Sequence, residues 1–152
     1  MSICNQCALA QTGANQLFPV GSIAPDFYVL GDMVSSTEDF NQMLFDAGDS
    51  NNRYLRSLLE SVGISNENSR MFKTTRCFTE DYSNIETHTS VCGIYAMMDI
   101  FKTKPKIVIT LGQAPTKYML GDRFKSMTSC RGRLYDVQIN GEVFKVIPTH
   151  SP

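Results

Sequence analysis

Cys4 and Cys7 form a CxxC pair near the N-terminus, and Cys77 and Cys92 form a second pair with fourteen residues between them. Thiolates are soft ligands, and four of them suit either a 4Fe-4S cluster or a structural zinc ion. Zinc ribbons repeat two tight CxxC knuckles. Here only the first pair is tight, so separate elements of a larger domain must bring the other two thiols together. That favours an iron–sulfur cluster clamped between parts of the fold, with zinc as the alternative. Four unrelated buried thiols are the ordinary explanation, because free cysteine is often buried. Cys130 reads as such a thiol.

The elements that must position these residues read as one α/β domain over residues 1–152. An apolar content of 42% and a charged content of 19% are globular values. A net charge of -1 gives no global nucleic-acid signal, so any DNA contact must come from a local patch. No apolar run approaches the length of a membrane span. The start, MSICNQCALAQ, lacks the basic head and apolar stretch of a signal peptide. Five cysteines without secretion signals point to a reducing compartment such as the cytoplasm.

Residues 26–31, DFYVLG, form an apolar run closed by glycine, a buried-strand pattern. The segment SNNRYLRSLLESVG predicts a helix with Leu55, Leu58, Leu59 and Val62 on one face, capped by Ser50 and ended by Gly63. Residues 71–76, MFKTTR, read as a weaker strand. Residues 87–101 place Val91, Ile94, Tyr95, Met98 and Phe101 at helical spacing, with Cys92 on or beside that helix and Met97-Met98 as core packing. KIVITLG is the clearest strand, and QAPTKYMLG a short helix after it. An irregular basic stretch, RFKSMTSCRGR, precedes a hairpin: LYDVQI, a turn at Asn140-Gly141, then EVFKVIPT. Strand–helix alternation with glycine-ended strands predicts a three-layer α/β/α fold around a mostly parallel, four-stranded sheet. Ligands bind such sheets beyond the carboxyl ends of the strands. The residues there are Gly31-Asp32, Lys73 to Cys77, Gly112-Gln113 and Thr149 to Pro152.

Taken in order, these segments resemble the iron–sulfur uracil-DNA glycosylases of the family-4 type and the related domains associated with phage-type DNA polymerases. CNQCAL is similar to the opening CxxCxL, and FYVLGDMVSSTED to a strand followed by GEAPGxxED. NRYLRSLLESVGI is similar to the LLxxxGI helix, Arg76-Cys77 to the Lys-Cys-Arg strand end, and KPKIVITLGQAP to PKxIxxLGxxA. CRGRLYDV resembles the Arg-Gly turn and VIPTHSP the closing PTxHP motif. The resemblance implies a uracil-DNA glycosylase-like fold, a 4Fe-4S cluster on Cys4, Cys7, Cys77 and Cys92, and DNA, single-stranded or uracil-containing, as partner.

Such an enzyme flips uracil out of DNA and hydrolyses its bond to the sugar. It needs an aromatic face for the base, a polar group for its edge, and a carboxylate or positioned water for the cationic sugar. By motif, Asp32 follows Gly31 at the position of the family's Glu, and Phe45 stands at the stacking Phe. Lys73 stands at the uracil-reading Asn, Ser151 at the second-motif His, and His150 one position before it. The resemblance therefore implies Asp32, His150 and Ser151 as catalytic, and Gly31, Phe45 and Lys73 as substrate-binding. The basic stretch supplies Arg123, Lys125, Arg131 and Arg133 for DNA. Each has an ordinary role too: Asp32 as a cap, Phe45 as core, and Lys73, His150 and the basic stretch as solvated surface. His88 reads as surface.

Several positions depart from the pattern. Asp is one methylene shorter than Glu. Val34 and Ser35 replace the motif's Pro and Gly. Lysine cannot make asparagine's paired donor–acceptor contact, and serine cannot donate as a cation. The family's C-terminal helix and basic loop have no counterpart within these residues. Three functions follow: a DNA-repair hydrolase that excises uracil, with weakened or lost activity; a catalytically silent module that binds DNA or protein in a phage-type replication or transcription assembly; or a zinc- or cluster-stapled protein-interaction domain with no DNA role.

Overall fold

Four apolar strands pair in parallel, so their carboxyl ends open on one side of a common sheet. The computed structural model describes residues 4–12 and 14–152; Met1 to Ile3, at the head of the N-terminal motif, and Gly13 lie outside them. The strands are β1 (Val20–Gly21), β2 (Phe27–Gly31), β3 (Ser69–Lys73), β4 (Ile107–Leu111), β5 (Tyr135–Ile139) and β6 (Glu142–Thr149), in the order β1-β3-β2-β4-β6-β5. The pairs β2/β3, β2/β4 and β4/β6 are parallel, whereas β1/β3 and β5/β6 are antiparallel. The sheet is thus six-stranded and mixed, with the expected four parallel strands at its centre. The fifth strand comes from the hairpin, whose turn residues Asn140 and Gly141 have φ of 50° and 83°, as a two-residue turn between twisted strands requires. The sixth, β1, is two residues long and offers no alternation to read.

All of β2 after Phe27 is buried. Successive strand residues face opposite sides, so helices and loops cover both faces of the sheet centre. Cross-strand neighbours Tyr28 and Arg70 both bind Asp99: the Tyr28 hydroxyl donates to it at 2.7 Å, and Arg70 Nε and Nη2 at 2.7 and 3.0 Å. That fork docks helix α3 (Ile85–Thr103) on one face.

The other helices are α1 (Ser36–Asn41), α2 (Ser50–Ser61), α4 (Gln113–Leu120) and α5 (Met127–Cys130). Helix α2 is capped by Asp49 rather than Ser50, its carboxylate accepting from the Asn51 and Asn52 amides. Of the expected apolar face, Leu55 is buried and Leu59 half-buried, but Leu58 and Val62 are exposed. The strand expected over 71–76 runs from Ser69 to Lys73. Helix α3 turns only part of its expected face inward: Tyr95 and Phe101 pack against the core, but the fully buried residues are others. Thr89, Gly93, Ala96 and Ile100 are buried, while Ile94 and Met98 are exposed. The reason is close approach: a Cβ on Gly93 would lie 2.5 Å from the Tyr118 ring of α4. Met97, by contrast, packs against the core. The basic stretch contains a 3-10 turn at Gly121–Arg123 and the single turn α5, which buries Cys130. No helix among the described residues is long and apolar enough to cross a membrane.

Leu30, 0% exposed in the central strand β2, tests this core. Leu30→Ala removes buried methyls and leaves a cavity, so urea denaturation should show a loss of about 2–5 kcal/mol.

Candidate functional site

At the carboxyl ends of β2, β3, β4 and β6 lies a cavity of about 240 Å³ lined by Gly31, Asp32, Phe45, Asp49, Lys73 and Ser151 among others. Gly112, at φ 92°, holds the strand ends together: its amide donates to Thr149 O at 2.9 Å, and a Cβ there would meet Ser151 Cβ at 3.4 Å and Asp32 Oδ2 at 3.8 Å. Asp32 and Ser151 therefore share this end of the sheet. The Asp32 backbone is fixed by Thr74, whose amide and hydroxyl donate to its carbonyl at 3.2 and 3.0 Å. Its carboxylate is not fixed: Oδ1 is buried without a hydrogen-bond partner. Burial raises the Asp32 carboxyl above its ordinary value, against the pull of the Lys73 charge. Asp49, at the same cavity, is held below its ordinary value: burial raises it, but hydrogen bonds from Ser35 and the α2 amides prevail. The two environments thus push these carboxyls apart, Asp32 up and Asp49 down.

Lys73 does not reach freely into the cavity. Its Nζ donates to Met33 O at 2.8 Å and to Glu38 Oε2 at 2.7 Å, and sits 5.1 Å from the Phe45 ring centroid. Glu38, 0% exposed, also accepts from Ser35 N at 2.8 Å, Phe45 N at 2.6 Å and Asn52 Nδ2 at 3.0 Å. Phe45 is 1% exposed with φ of 54°, a left-handed backbone unusual for a bulky residue. Glu38 holds its amide, and Arg56 donates to its carbonyl from Nε and Nη2 at 3.2 and 3.0 Å. Gly31 is needed beside it, since a Cβ there would stand 3.0 Å from Phe45 Cζ.

His150 follows β6 but is exposed and does not line the cavity; Ser151 does. Arg123, Lys125, Arg131 and Arg133 are all exposed. The turn holding Arg131 and Arg133 is tied to β6 by the Gly132 amide, which donates to Pro148 O at 2.8 Å. Arg123 instead donates to Asp136 O at 2.6 Å on β5. His88 is half-buried on α3.

The cysteines gather elsewhere. Gln16 clamps Cys4 from both sides, accepting from its amide at 2.8 Å and donating to its carbonyl at 2.6 Å. Burial, with the neighbouring Cys7 and Cys4 thiols, pushes the Cys77 thiol up to about 11; burial, with Cys77 and Cys7, pushes Cys92 up to about 11. Cys4 goes the other way: burial is outweighed by the Tyr95 hydroxyl, the Gln6 amide and the Arg76 charge. The four thiols thus share one electrostatic neighbourhood, and Cys130 is apart from it. Among the described residues no three His, Cys, Asp or Glu side chains stand close enough to hold a single metal ion. A 4Fe-4S cluster holds its thiolates farther apart than one ion does, each on its own iron. The donor set fits it, and so does the buried cation beside it: Arg76 is 2% exposed, with Nη1 and Nη2 both unpartnered among the described residues.

Glu38, Asn52 and Asp49 do not emerge from sequence reasoning as site residues, and Arg76 emerges only as part of the strand end Lys73 to Cys77, with no role of its own. A signal exists for two of the first three. Ser35-x-x-Glu38 is a capping box, and Asp49 precedes a helical run. Removing one partner of a buried ion pair leaves an uncompensated charge. Glu38→Gln should therefore cost about 3–5 kcal/mol of unfolding free energy, and adding Lys73→Met should recover much of it. A single-variant cost below about 1 kcal/mol, the range of exposed pairs, would remove Glu38 as the support of this site.

No protein-family model matches the chain. It is 25% identical over 153 residues to the type-4 uracil-DNA glycosylase of Sulfurisphaera tokodaii, an alignment covering 98% of this chain and 69% of the relative. The corresponding protein of Saccharolobus solfataricus is also 25% identical, over 98% of this chain and 70% of its own length. That of Archaeoglobus fulgidus is 22% identical, over 98% and 76%. With motifs in matching order, an α/β sheet whose strand ends form a cavity, and an alignment that covers 98% of this chain, the chain is similar to the type-4 uracil-DNA glycosylases.

Proposed function

We propose that this protein takes a flipped uracil of DNA into the cavity at the strand ends and hydrolyses its glycosidic bond slowly, with Asp32 as the working carboxylate. The observation that carries this reading is the buried, partnerless Oδ1 of Asp32 on a backbone locked by Thr74. A carboxylate with a free oxygen can orient water toward the sugar carbon and offset the positive charge that grows there as the base departs. Ser151, across Gly112 from Asp32, is placed to bind that water or the sugar. Lys73 reads no base edge in the family manner, because two of its three donors are spent on Met33 O and Glu38. Loss of one electrostatic contact costs about a hundredfold or more, so the rate is low beside that of relatives with the full motif. Arg131 and Arg133 hold phosphates next to the crevice. A 4Fe-4S cluster on Cys4, Cys7, Cys77 and Cys92 is the cofactor, and its part is structural: it ties the N-terminus to the end of β3 and to α3, closing long loops.

One observation favours a second reading, a silent DNA-binding module. Phe45 is almost wholly buried and Lys73 lies over its ring, so a base cannot stack there without moving the lysine. A single-stranded uracil oligonucleotide, followed by alkaline cleavage of abasic sites, separates the two. Excision by the parent that falls at least about a hundredfold in Asp32→Asn is the expected outcome. DNA binding without excision would instead select the module. Either way, log Kobs should fall with log salt by about 0.7 per phosphate contacted.

Asp32 must be ionised to act, and burial raises its carboxyl. Excision should therefore fall on the acid side at a pH above the usual carboxylate range. The same shift works against stability. The folded-state value exceeds the unfolded one, so ionisation costs stability at neutral pH and that cost vanishes below the unfolded value. Asp32→Asn should raise the melting temperature at neutral pH, and the gap should close as pH falls through both values.

A further inference from the structure

Arg76 lies at the end of the β3 segment with no carboxylate beside it among the described residues. Its Nε donates to Leu17 O at 3.0 Å, and its guanidinium lies 4.7 Å from each of the Phe18 and Tyr95 ring centroids. An aromatic face is at most a weak acceptor for an N–H group. Among the described residues, Nη1 and Nη2 are buried with no hydrogen-bond acceptor. Buried polar groups are almost always hydrogen-bonded, and an unmet charged donor is the costliest exception. The neighbours of this cation are the cysteines. Cys77 follows it in the chain and is 5% exposed. Tyr95, whose ring centroid lies 4.7 Å from it, stands three residues after Cys92 on α3.

We propose that Arg76 is the internal counter-cation of the four-cysteine site, its unpartnered Nη groups matched to the net negative charge of a thiolate-bound cluster. This rests on the iron–sulfur reading above. It assigns Arg76 two consequences. The cluster is held more firmly, because groups outside the ligand set change metal affinity by about 10–100-fold. Its reduction potential is raised, because a nearby positive charge favours the added electron.

The test uses the full chain purified anaerobically, with Arg76→Met and Arg76→Lys alongside the parent. The readouts are iron per chain, bleaching of the brown visible band under an iron chelator, the cluster's reduction potential, and melting temperature before and after chelation. Arg76→Met should bleach at least about tenfold faster and titrate at a more negative potential, while Arg76→Lys stays near the parent. Chelated Arg76→Met should melt no lower than chelated parent, because it no longer buries an unmatched cation. A purely structural role would lower both forms alike. A Met variant with parental potential and bleaching overturns the proposal, as does a folded Lys variant shifted as far as Met. If the Met variant fails to fold, the Lys variant decides: iron and potential retained support the proposal, and a folded Lys variant without iron overturns it. A parent that carries no iron overturns the cluster reading itself, whereas an iron-loaded parent beside an unshifted Met variant overturns the role of Arg76 alone.

Discussion

A single buried carboxylate, that of Glu38, organises the functional end of the fold. Its two oxygens receive four donors: Ser35 N, Phe45 N, Asn52 Nδ2 and Lys73 Nζ. A buried charge is tolerable only when paired and fully hydrogen-bonded, and here about every lone-pair site is used. The four donors come from the cap of α1, the loop after it, α2 and β3, elements with no continuous strand or helix between them. Their mutual placement is therefore set by one side chain. The left-handed backbone of Phe45 depends on the same group, since strained φ values persist only where the surroundings over-determine them. Moving Glu38 would release the aromatic floor, the lysine and the start of α2 together.

The electrostatics of Asp32 follow from this arrangement. Lys73 is near enough to draw the Asp32 carboxyl down, yet the net direction is up. Its charge is already met by Glu38 at 2.7 Å, so burial prevails at Asp32. The cavity thus contains a cation that is spent, a carboxyl that burial raises, and a second, Asp49, that hydrogen bonds hold below its ordinary value. An asparagine at position 73 would have left Glu38 without its counter-charge. The lysine and the buried glutamate answer one another, and the departure from the family pattern at position 73 has a structural reason inside this chain.

The parallel strands were legible because glycine-ended apolar runs bury both faces, and the hairpin because Asn140-Gly141 suits its turn. Their carboxyl ends pointed to the cavity, and so to Gly31, Asp32, Lys73 and Ser151. The inward face of α3 was not legible. The helix is apolar most of the way round, so periodicity offers several faces, and the one chosen is the small-residue stripe that lets α4 approach at Gly93. Nor could periodicity find Glu38 or Arg76, because hydrophobic patterning assigns charged residues to the surface. Each is buried through partners far away in the chain, and only the assembled structure brings those partners together. His150 and Ser151 follow the same strand and are both exposed, but only Ser151 lines the cavity, a choice of side that chain position alone does not give.

Five residues at the end of β3 join the two halves of the molecule's chemistry. Lys73 and Arg76 are both buried cations, three positions apart, but they solve different problems. Lys73 finds its anion within the chain, in Glu38. Arg76 finds none among the described residues and faces the thiols. Between them, Thr74 locks the backbone of Asp32 through its amide and hydroxyl, and Cys77 follows as a ligand candidate. Thr74 and Cys77 are three positions apart, so the strand end that holds the Asp32 backbone also carries the thiol, and one short stretch of chain connects the cavity to the cysteine site.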